Sequence, residues 1–199
     1  RMMTLTWNHE NELASPQRNP GGVLVPQTEK GLTGKGFEFL AEMERMHMIV
    51  DVSHLSDKGF WDIVEHGTRP FAASHSNCRA LAPHTRNLTD EMIRALSERG
   101  GIAGLNYYAP FLDTDPTHPE NCRSTVELIA KHAAHYKQVG GAQMIALGSD
   151  FDGIDGPHQL ENAAFLPLLA DALRKEGFTE DEVEGIYYRN AMRFFEENL

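Results

Sequence analysis

Two histidines follow two short apolar runs and could together bind a metal ion. His54 comes after the run 48–53 and His75 after the run 70–74, each within a Ser-His sequence. The segment 57–66 between the runs has apolar residues at near-helical spacing. This pattern predicts a βαβ unit with an imidazole at the carboxyl end of both strands, where parallel α/β folds build active sites. Two neutral imidazoles in one cavity suit a borderline cation such as zinc.

Arg86 adds a fixed positive charge one short loop after His75. It lies in the sequence His84-Thr85-Arg86-Asn87, ahead of a predicted helix that begins at Asp90. A guanidinium group there could hold a substrate carboxylate through two parallel hydrogen bonds. Both residue types also have a structural explanation, because a lone strand-end histidine is usually hydrogen-bonded within the protein and a loop arginine is usually solvated.

A carboxylate ends the last predicted strand. Asp150 follows the run 144–149 in the sequence Gly-Ser-Asp-Phe-Asp-Gly, and Asp152 comes two residues later. Asp-x-Asp-Gly is also a common turn sequence, so a purely structural role is the alternative. Because Asp150 is nearer the strand end, we expect it to face the site and Asp152 to shape the turn.

Apolar runs and helical patterns alternate along the whole chain. The predicted strands are 1–6, 48–53, 70–74, 102–106 and 144–149. The predicted helices are 34–47, 57–66, 90–99, 125–138, 162–175 and 179–198, the last with Thr179 and Glu182 as a capping box. The segments 14–36 and 113–121 are predicted loops. Strict alternation of strand and helix predicts an α/β fold with a parallel sheet.

The number of strands bears on which α/β fold this is. A complete (β/α)₈ TIM barrel has eight strands in typically about 250 residues, whereas this chain has five predicted strands in 199 residues and starts abruptly with a strand. We therefore expect the C-terminal five or so βα units of a barrel, as a single domain over 1–199, with the first three units missing. A complete five-stranded doubly wound sheet is the alternative.

Composition excludes several classes of partner. The chain has 18 basic and 29 acidic side chains, a net charge of −11, and no basic stripe, which argues against nucleic acid. No apolar run is long enough to span a bilayer. Cys78 and Cys122 have no metal-site spacing and predict no disulfide framework. Localisation stays open, with the cytoplasm weakly favoured. Four histidines are predicted at surface or boundary positions of helices: His47, His66, His132 and His135.

Taken together, the motifs resemble the membrane (renal-type) dipeptidases, peptidase family M19, which are metallopeptidases with an amidohydrolase-like TIM barrel. The resemblance covers essentially all 199 residues, and its motifs occur in the expected order. The matching pieces are Leu5-Thr6-Trp7-Asn8 with 11–14, Asp51-Val52-Ser53-His54-Leu55-Ser56, Ser74-His75-Ser76-Asn77, Thr85-Arg86-Asn87-Leu88 and Gly148-Ser149-Asp150-Phe151-Asp152-Gly153.

The resemblance implies a site with two zinc ions, other divalent metals being possible. His54 and His75 are similar to the two histidine ligands of one zinc, and Arg86 to the clamp on the substrate's terminal carboxylate. Asp150 is similar to the carboxylate that contacts substrate and handles the proton of a metal-bridging hydroxide. The implied substrates are dipeptides with a free C-terminal carboxylate, and the implied assembly is a homodimer.

The chain also departs from the family pattern. The family's His-x-Asp pair and bridging Glu have no match and would lie before Arg1. Some members have a histidine that contacts the substrate carbonyl at the position of Trp7, and that role is not transferred to the nearby His9. Two other functions stay open: an inactive barrel that binds small amino-acid-like ligands, and a related amidohydrolase acting on lactams or other cyclic amides. Arg86 favours the dipeptidase because it suits a free carboxylate.

Overall fold

Five parallel strands form one sheet in which the strands lie in the same order as along the chain. The computed structural model describes residues 1–17, 25–114, 121–156 and 158–199. The strands are β1 (Met2–Thr4), β2 (Ile49–Asp51), β3 (Ala72–Ala73), β4 (Ile102–Asn106) and β5 (Ile145–Ser149). Every neighbouring pair is parallel. The prediction of an α/β fold with a parallel sheet is confirmed.

Helices follow the strands in turn. They are α1 (Gly34–Arg45), α2 (Asp57–His66), α3 (Asp90–Glu98), α4 (Ala109–Leu112), α5 (Val126–Gly140), α6 (Leu166–Lys175), α7 (Glu180–Glu184) and α8 (Asn190–Asn198). Short 3₁₀ turns occur at Ala142–Met144 and Ala163–Phe165. Residues 18–24 and 115–120 of the two predicted loops lie outside the described residues.

Hydroxyl side chains fix where five of these helices begin. In each case the side-chain oxygen accepts a hydrogen bond from a backbone N–H of the first turn, which satisfies a donor that has no partner within the helix. The predicted capping box of Thr179 and Glu182 is confirmed. Ser56 is the N-cap of α2 and lies only two residues after His54. Its hydroxyl accepts a hydrogen bond from Gly59 N at 2.9 Å. The capping residues are Thr33, Ser56, Thr89, Thr125 and Thr179.

The two faces of the sheet pack against different parts of the chain. On one face, alternate strand residues such as Val50 and Leu105 join a core with side chains from α1, α2, α3, α5 and α6. On the other face, Ile49 and Ile102 pack around Phe194 of α8. A doubly wound sheet reverses its strand order and carries helices on both faces. The unbroken strand order, with α1, α2, α3, α5 and α6 together on one face, instead matches a segment of a barrel.

Three details differ from the sequence-based prediction. The helix predicted over 179–198 is interrupted by a π-helical turn at Gly185–Arg189. The side-chain amide of the next residue, Asn190, donates to Ala142 O at 2.9 Å and to Ile145 O at 2.8 Å. The four-residue helix α4 is too short to give a periodic pattern. The predicted strand 70–74 forms ladder pairs only at its centre, in β3.

The prediction of a surface or boundary position for His132 was wrong. Its side chain is buried in α5, where Nδ1 accepts from Cys78 N at 3.1 Å and Nε2 donates to Leu112 O at 3.1 Å. Both ring nitrogens are therefore used, and they join α5 to the loop after β3 and to the end of α4. Helical spacing alone could not reveal this, because the partners are 54 and 20 residues away in sequence.

Cys78 and Cys122 are both free thiols, in agreement with the absence of a predicted disulfide framework. Across the described ranges, no helix combines the length and apolar character needed to cross a membrane.

Candidate metal and substrate site

The carboxyl edge of the sheet brings together the residues that the sequence singled out. His54, His75, Asp150 and Trp7 line one cleft of about 520 Å³, together with residues of and after β1. Because all five strands are parallel, their carboxyl ends meet at this edge, and the segments that follow them converge. Arg86 is not among the described residues that line this cleft, but its charge lowers the pKa of both imidazoles.

The two imidazoles face each other through their Nε2 atoms, which are 2.9 Å apart. Nδ1 of His54 lies 3.2 Å from the side-chain oxygen of Asn8. An amide oxygen only accepts, so Nδ1 carries the proton and the Nε2 lone pair of His54 points at His75. Two nitrogen ligands of one tetrahedral zinc lie about 3.3 Å apart, given a Zn–N distance of about 2.05 Å. The donor pair therefore fits a divalent cation of the zinc type.

The surroundings keep these imidazoles neutral, as metal ligands must be. Burial, followed by the charge of Arg86 and the neighbouring His75, lowers the pKa of His54 to about 2. The pKa of His75 is also lowered, chiefly by burial and then by Arg86, against the opposing effect of Asp51 and Asp150. Each ring is thus neutral, with one N–H and one lone pair.

The imidazole pair supplies two ligands, one short of the three expected at a catalytic zinc. In the part of the chain that the structure describes, no third His, Cys, Asp or Glu ligand atom lies within 4.8 Å of both Nε2 atoms. Asp150 therefore shares the cleft without completing this ligand set.

Backbone strain is concentrated at the same edge. His54 has a φ of +70°, Ser149 of +34° and Asp150 of +71°, all in the left-handed region that side chains other than glycine rarely adopt. Such residues cost about 1–3 kcal/mol each and cluster at functional sites. The strained turn after each strand aims His54 and Asp150 into the cleft.

Arg86 is a buried cation with unused hydrogen-bond donors. The residue is only 8% exposed, and among the described residues its Nε and Nη2 have no hydrogen-bond partner. Its guanidinium carbon lies 5.5 Å from the centre of the Phe111 ring. Burial lowers the pKa of Arg86 to about 10, although Asp51 and Asp150 act in the opposite direction. A buried charge with free donors of this kind is suited to binding an anion.

A second arginine fixes the loop that carries Arg86. Arg79 donates from Nε to Asn87 O at 2.9 Å and from Nη2 to Thr85 O at 2.9 Å, so it bonds to the residues on either side of Arg86. It also forms a two-point ion pair with Asp57, at 2.7 and 2.8 Å. Sequence reasoning missed Arg79, because its pairing with a residue 22 positions earlier depends on tertiary packing.

Asp150 is held in place by the neighbouring strand. Asn106 Nδ2 donates to Asp150 Oδ2 at 3.0 Å, and Gly153 N donates to Asp150 O at 2.9 Å, which closes the turn. Asp152 is exposed in that turn, so Asp150 is the carboxylate that reaches the cleft. Asn106 is fully buried at the end of β4 and was not predicted to orient a site residue.

Trp7 forms part of the cleft wall and is 67% exposed, with its ring centre 6.4 Å from that of His54. His9 is exposed on the same segment. A large, exposed aromatic side chain beside a polar cleft offers an apolar surface to a ligand.

Comparison with known proteins gives the class of this fold and site. A crystal structure of a metallopeptidase from Rhodobacter sphaeroides, liganded with a phosphinate mimic of the dipeptide L-Ala-D-Ala, superposes with a TM-score of 0.89 at 31% identity. The match covers 100% of this chain and 56% of that one. The fold is thus that of a metallopeptidase.

The family follows from the sequence itself. Residues 1–198 match the family described as membrane dipeptidase, peptidase family M19, so the chain belongs to that family. A Klebsiella pneumoniae protein from the pqqA 5′ region is 37% identical over 94% of this chain and 68% of its own length. An uncharacterised dipeptidase of Schizosaccharomyces pombe is 33% identical over 97% of this chain and 45% of its own. The chain thus spans about half the length of that dipeptidase.

Proposed function

We propose that the protein to which this chain belongs is a zinc-dependent dipeptidase that hydrolyses dipeptides with a free C-terminal carboxylate. The observation that carries the proposal is the facing pair of imidazoles in the cleft, together with a buried Arg86 whose charge acts on both rings and whose Nε and Nη2 have no partner among the described residues. The family membership and the dipeptide mimic bound by the Rhodobacter sphaeroides metallopeptidase support it. Arg86 favours this activity over action on lactams, which carry no corresponding requirement for a free carboxylate clamp.

The electrostatic influence of Arg86 on both imidazoles suits a small substrate. A dipeptide places its scissile carbonyl only one residue from its terminal carboxylate. A site that holds the carboxylate and the carbonyl together must therefore have its cation and its metal close to each other. The charge of Arg86 lowers the pKa of both imidazoles, which is expected of such a short separation.

Each residue then has a defined part in the reaction. His54 and His75 hold the metal, which when bound polarises the scissile carbonyl and activates water. Arg86 binds the substrate carboxylate through its free donors and so orients the peptide bond. Asp150 accepts a proton at its carboxylate and returns it to the leaving amine, while Asn106 fixes the direction of that carboxylate.

The carboxylate clamp can be tested with Arg86→Lys in the complete protein. Lysine keeps the charge and loses the planar fork. Activity on free dipeptides should fall well beyond tenfold, about 1.4 kcal/mol or more, while the slow hydrolysis of dipeptide amides should change little. Equal losses on both substrates would contradict the assignment. Turnover of a lactam without turnover of dipeptides would support the amidohydrolase alternative, and zinc binding without turnover of either would support the inactive barrel.

The proton-transfer role can be tested by comparing Asp150→Asn with Asp152→Asn. We expect kcat of the first to fall by about 10² to 10⁴, the range for a lost general acid–base, with KM and zinc content little changed. The second is a matched control, because its side chain is exposed in the same turn, and its activity should stay close to wild type. A crippled Asp152→Asn, or zinc loss in Asp150→Asn, would assign proton transfer elsewhere.

The metal role can be tested by zinc analysis of the dialysed complete protein. His54→Ala and His75→Ala should each lose zinc, whereas His9→Ala, a change at an exposed position on the Trp7 segment, should keep the wild-type content. Full zinc content in both the His54 and His75 variants would remove the imidazole pair from metal binding.

A further inference from the structure

We propose that Asp51 and Ser74 form a hydrogen-bond relay that places the proton of His75 on Nδ1 and so leaves Nε2 as its metal-binding atom. The proposal deepens the proposed function and rests on it for the metal. It assigns a positioning role to two residues that touch neither metal nor substrate.

Asp51 is a buried carboxylate surrounded by donors. The residue is 1% exposed at the end of β2. Its Oδ1 accepts from Ser53 N at 3.0 Å and Ser74 N at 2.8 Å. Its Oδ2 accepts from Thr4 Oγ1 at 2.7 Å and Ser74 Oγ at 2.6 Å. The carboxylate therefore joins the ends of three strands and acts only as an acceptor.

The direction of the Ser74 hydrogen bonds follows from that arrangement. A serine hydroxyl has one hydrogen, and the short contact with Asp51 uses it. The Ser74 oxygen must then accept at its other short contact, 2.7 Å from His75 Nδ1. The contact of Ser74 Oγ with Ser53 Oγ is longer, at 3.3 Å, and Ser53 Oγ already accepts from His75 N at 3.1 Å. Nδ1 of His75 therefore carries the hydrogen.

The consequence lies on the opposite side of the ring. A neutral imidazole has one N–H, so a proton on Nδ1 leaves a lone pair on Nε2. That lone pair points at His54 Nε2, 2.9 Å away, where the metal is proposed to bind. Partners of this kind fix the tautomer of metal-binding histidines and raise their basicity. His54 has the same tautomer, but its Nδ1–H donates to the side-chain oxygen of Asn8.

The backbone of Ser74 is tightly packed against the two neighbouring strands β4 and β5. Ser74 is held against the neighbouring strands, since a Cβ on Gly104 or Gly148 would lie 2.1 or 2.2 Å from Ser74 O. Glycine at these two positions lets the strands approach Ser74 closely. This packing holds the backbone of Ser74, from which the hydroxyl reaches Asp51 Oδ2 and His75 Nδ1.

Asp51→Asn reverses the relay while preserving shape. The new amide keeps its oxygen toward the two backbone N–H groups, because the opposite orientation would point its NH₂ at them. The NH₂ then replaces Oδ2 and donates to Ser74 Oγ. Of the two acceptors left to the Ser74 hydroxyl, His75 Nδ1 at 2.7 Å is closer than Ser53 Oγ at 3.3 Å, so we expect the hydroxyl to donate to Nδ1. The proton of His75 then moves to Nε2 and blocks the metal-binding atom.

The test is ¹⁵N NMR of the histidine side chains in the metal-free complete protein, followed by zinc titration. We expect the Nδ1–H tautomer of His75 in wild type, the Nε2–H tautomer in Asp51→Asn, and a 10- to 100-fold loss of zinc affinity, the range for a lost outer-shell partner. Thr4→Val is the matched control, since it removes the other hydrogen bond to the same oxygen, and it should retain the wild-type tautomer and affinity.

Ser74→Ala gives a second measurement if Asp51→Asn does not fold. It should show both tautomers of His75 and a zinc affinity reduced about tenfold. An unchanged Nδ1–H tautomer in the folded variants would overturn the relay, as would a Thr4→Val effect equal to that of Asp51→Asn. Because the tautomer is measured without metal, this result is separate from the proposed function, which fails instead if His54→Ala and His75→Ala both keep their zinc.

Discussion

Two arginines only seven residues apart show how differently a folded protein can use a buried positive charge. Arg79 has a side chain that is 15% exposed, and it donates to both carboxylate oxygens of Asp57 and to two backbone carbonyls. Arg86 is as well buried, yet within the described residues its Nε and Nη2 find no acceptor. The first guanidinium is satisfied by the fold and the second is not.

The difference separates a structural residue from a binding residue. Removing a charge from water costs several kcal/mol, and hydrogen bonds to a paired carboxylate offset that cost for Arg79. For Arg86, burial lowers the pKa to about 10, and among the described residues Asp51 and Asp150 offset that effect only in part. A ligand carboxylate would supply the missing acceptors. The Arg79 ion pair thus holds the loop, and the free donors of Arg86 are the ones proposed to bind the substrate carboxylate.

The largest effect on stability should come from Arg79→Met. The substitution leaves Asp57 buried without its cation, and breaking such a pair typically costs about 3–5 kcal/mol. Urea unfolding followed by circular dichroism would measure the loss. A free energy of unfolding within 1 kcal/mol of wild type would mean that the Arg79 ion pair does not stabilise the loop.

Arg86→Met should lower activity without lowering stability, unlike Arg79→Met. We expect a free energy of unfolding equal to or above that of wild type, because the variant buries no unpaired charge. We also expect kcat/KM on free dipeptides to fall at least about 100-fold, or about 2.7 kcal/mol, because the charge-assisted hydrogen bonds to the substrate are lost. Urea unfolding and steady-state kinetics on the same preparation test these two expectations. A marked loss of stability would mean that Arg86, like Arg79, has a structural role.

Lowering the pH should destabilise the folded protein at the loop that contains Arg79, because His132 is bonded to that loop. Its Nδ1 accepts from the N–H of Cys78, the residue before Arg79, and burial lowers the pKa of His132 to about 4. Between pH 6.5 and 4 the unfolded chain binds a proton that the folded chain does not, so stability falls as pH falls. The contribution is on the order of 3 kcal/mol. His132→Asn should reduce the slope of the stability curve in this window by the contribution of one proton, while His54 and His84, whose pKa values are also lowered, keep theirs. A curve parallel to that of wild type would assign the pH dependence to those other groups.

The smallest effect should come from a surface arginine with equally complete hydrogen bonding. Arg174 donates to Glu180 at 2.6 Å and to Asp171 at 2.8 Å, but its side chain is 42% exposed. Water can replace these partners, so Arg174→Met should leave the urea midpoint unchanged. A shift comparable to that of Arg79→Met would show that hydrogen-bond number, rather than burial, decides the effect.

The sequence was sufficient to predict residues whose position follows from the chain direction alone. His54, His75 and Asp150 each follow a predicted strand, and the carboxyl ends of parallel strands share one edge. Arg86 was predicted from its residue type and from a family resemblance. The matching family confirms the resemblance, while the chemical roles of the individual residues stay predictions.

Residues whose role depends on tertiary packing were not predictable in this way. Arg79 pairs with Asp57, and His132 bonds to two distant segments, and neither sequence context hints at a partner. Asp51 gave a weak signal, since a carboxylate within an apolar strand needs donors, but the sequence does not say which ones. The π-helical turn likewise depends on contacts of Asn190 with the start of β5.

The hydrogen bonds among the loops also determine which parts of this edge can change independently during evolution. Asp57 bonds to Arg79 and to the side chain of Gln17, so three separate segments share one carboxylate. A substitution in any of them alters the other two, and we expect these positions to covary among homologues. The exposed Trp7 makes no side-chain hydrogen bond to any of the described residues, so we expect this position to vary with the substrate while the neighbouring imidazoles stay in place.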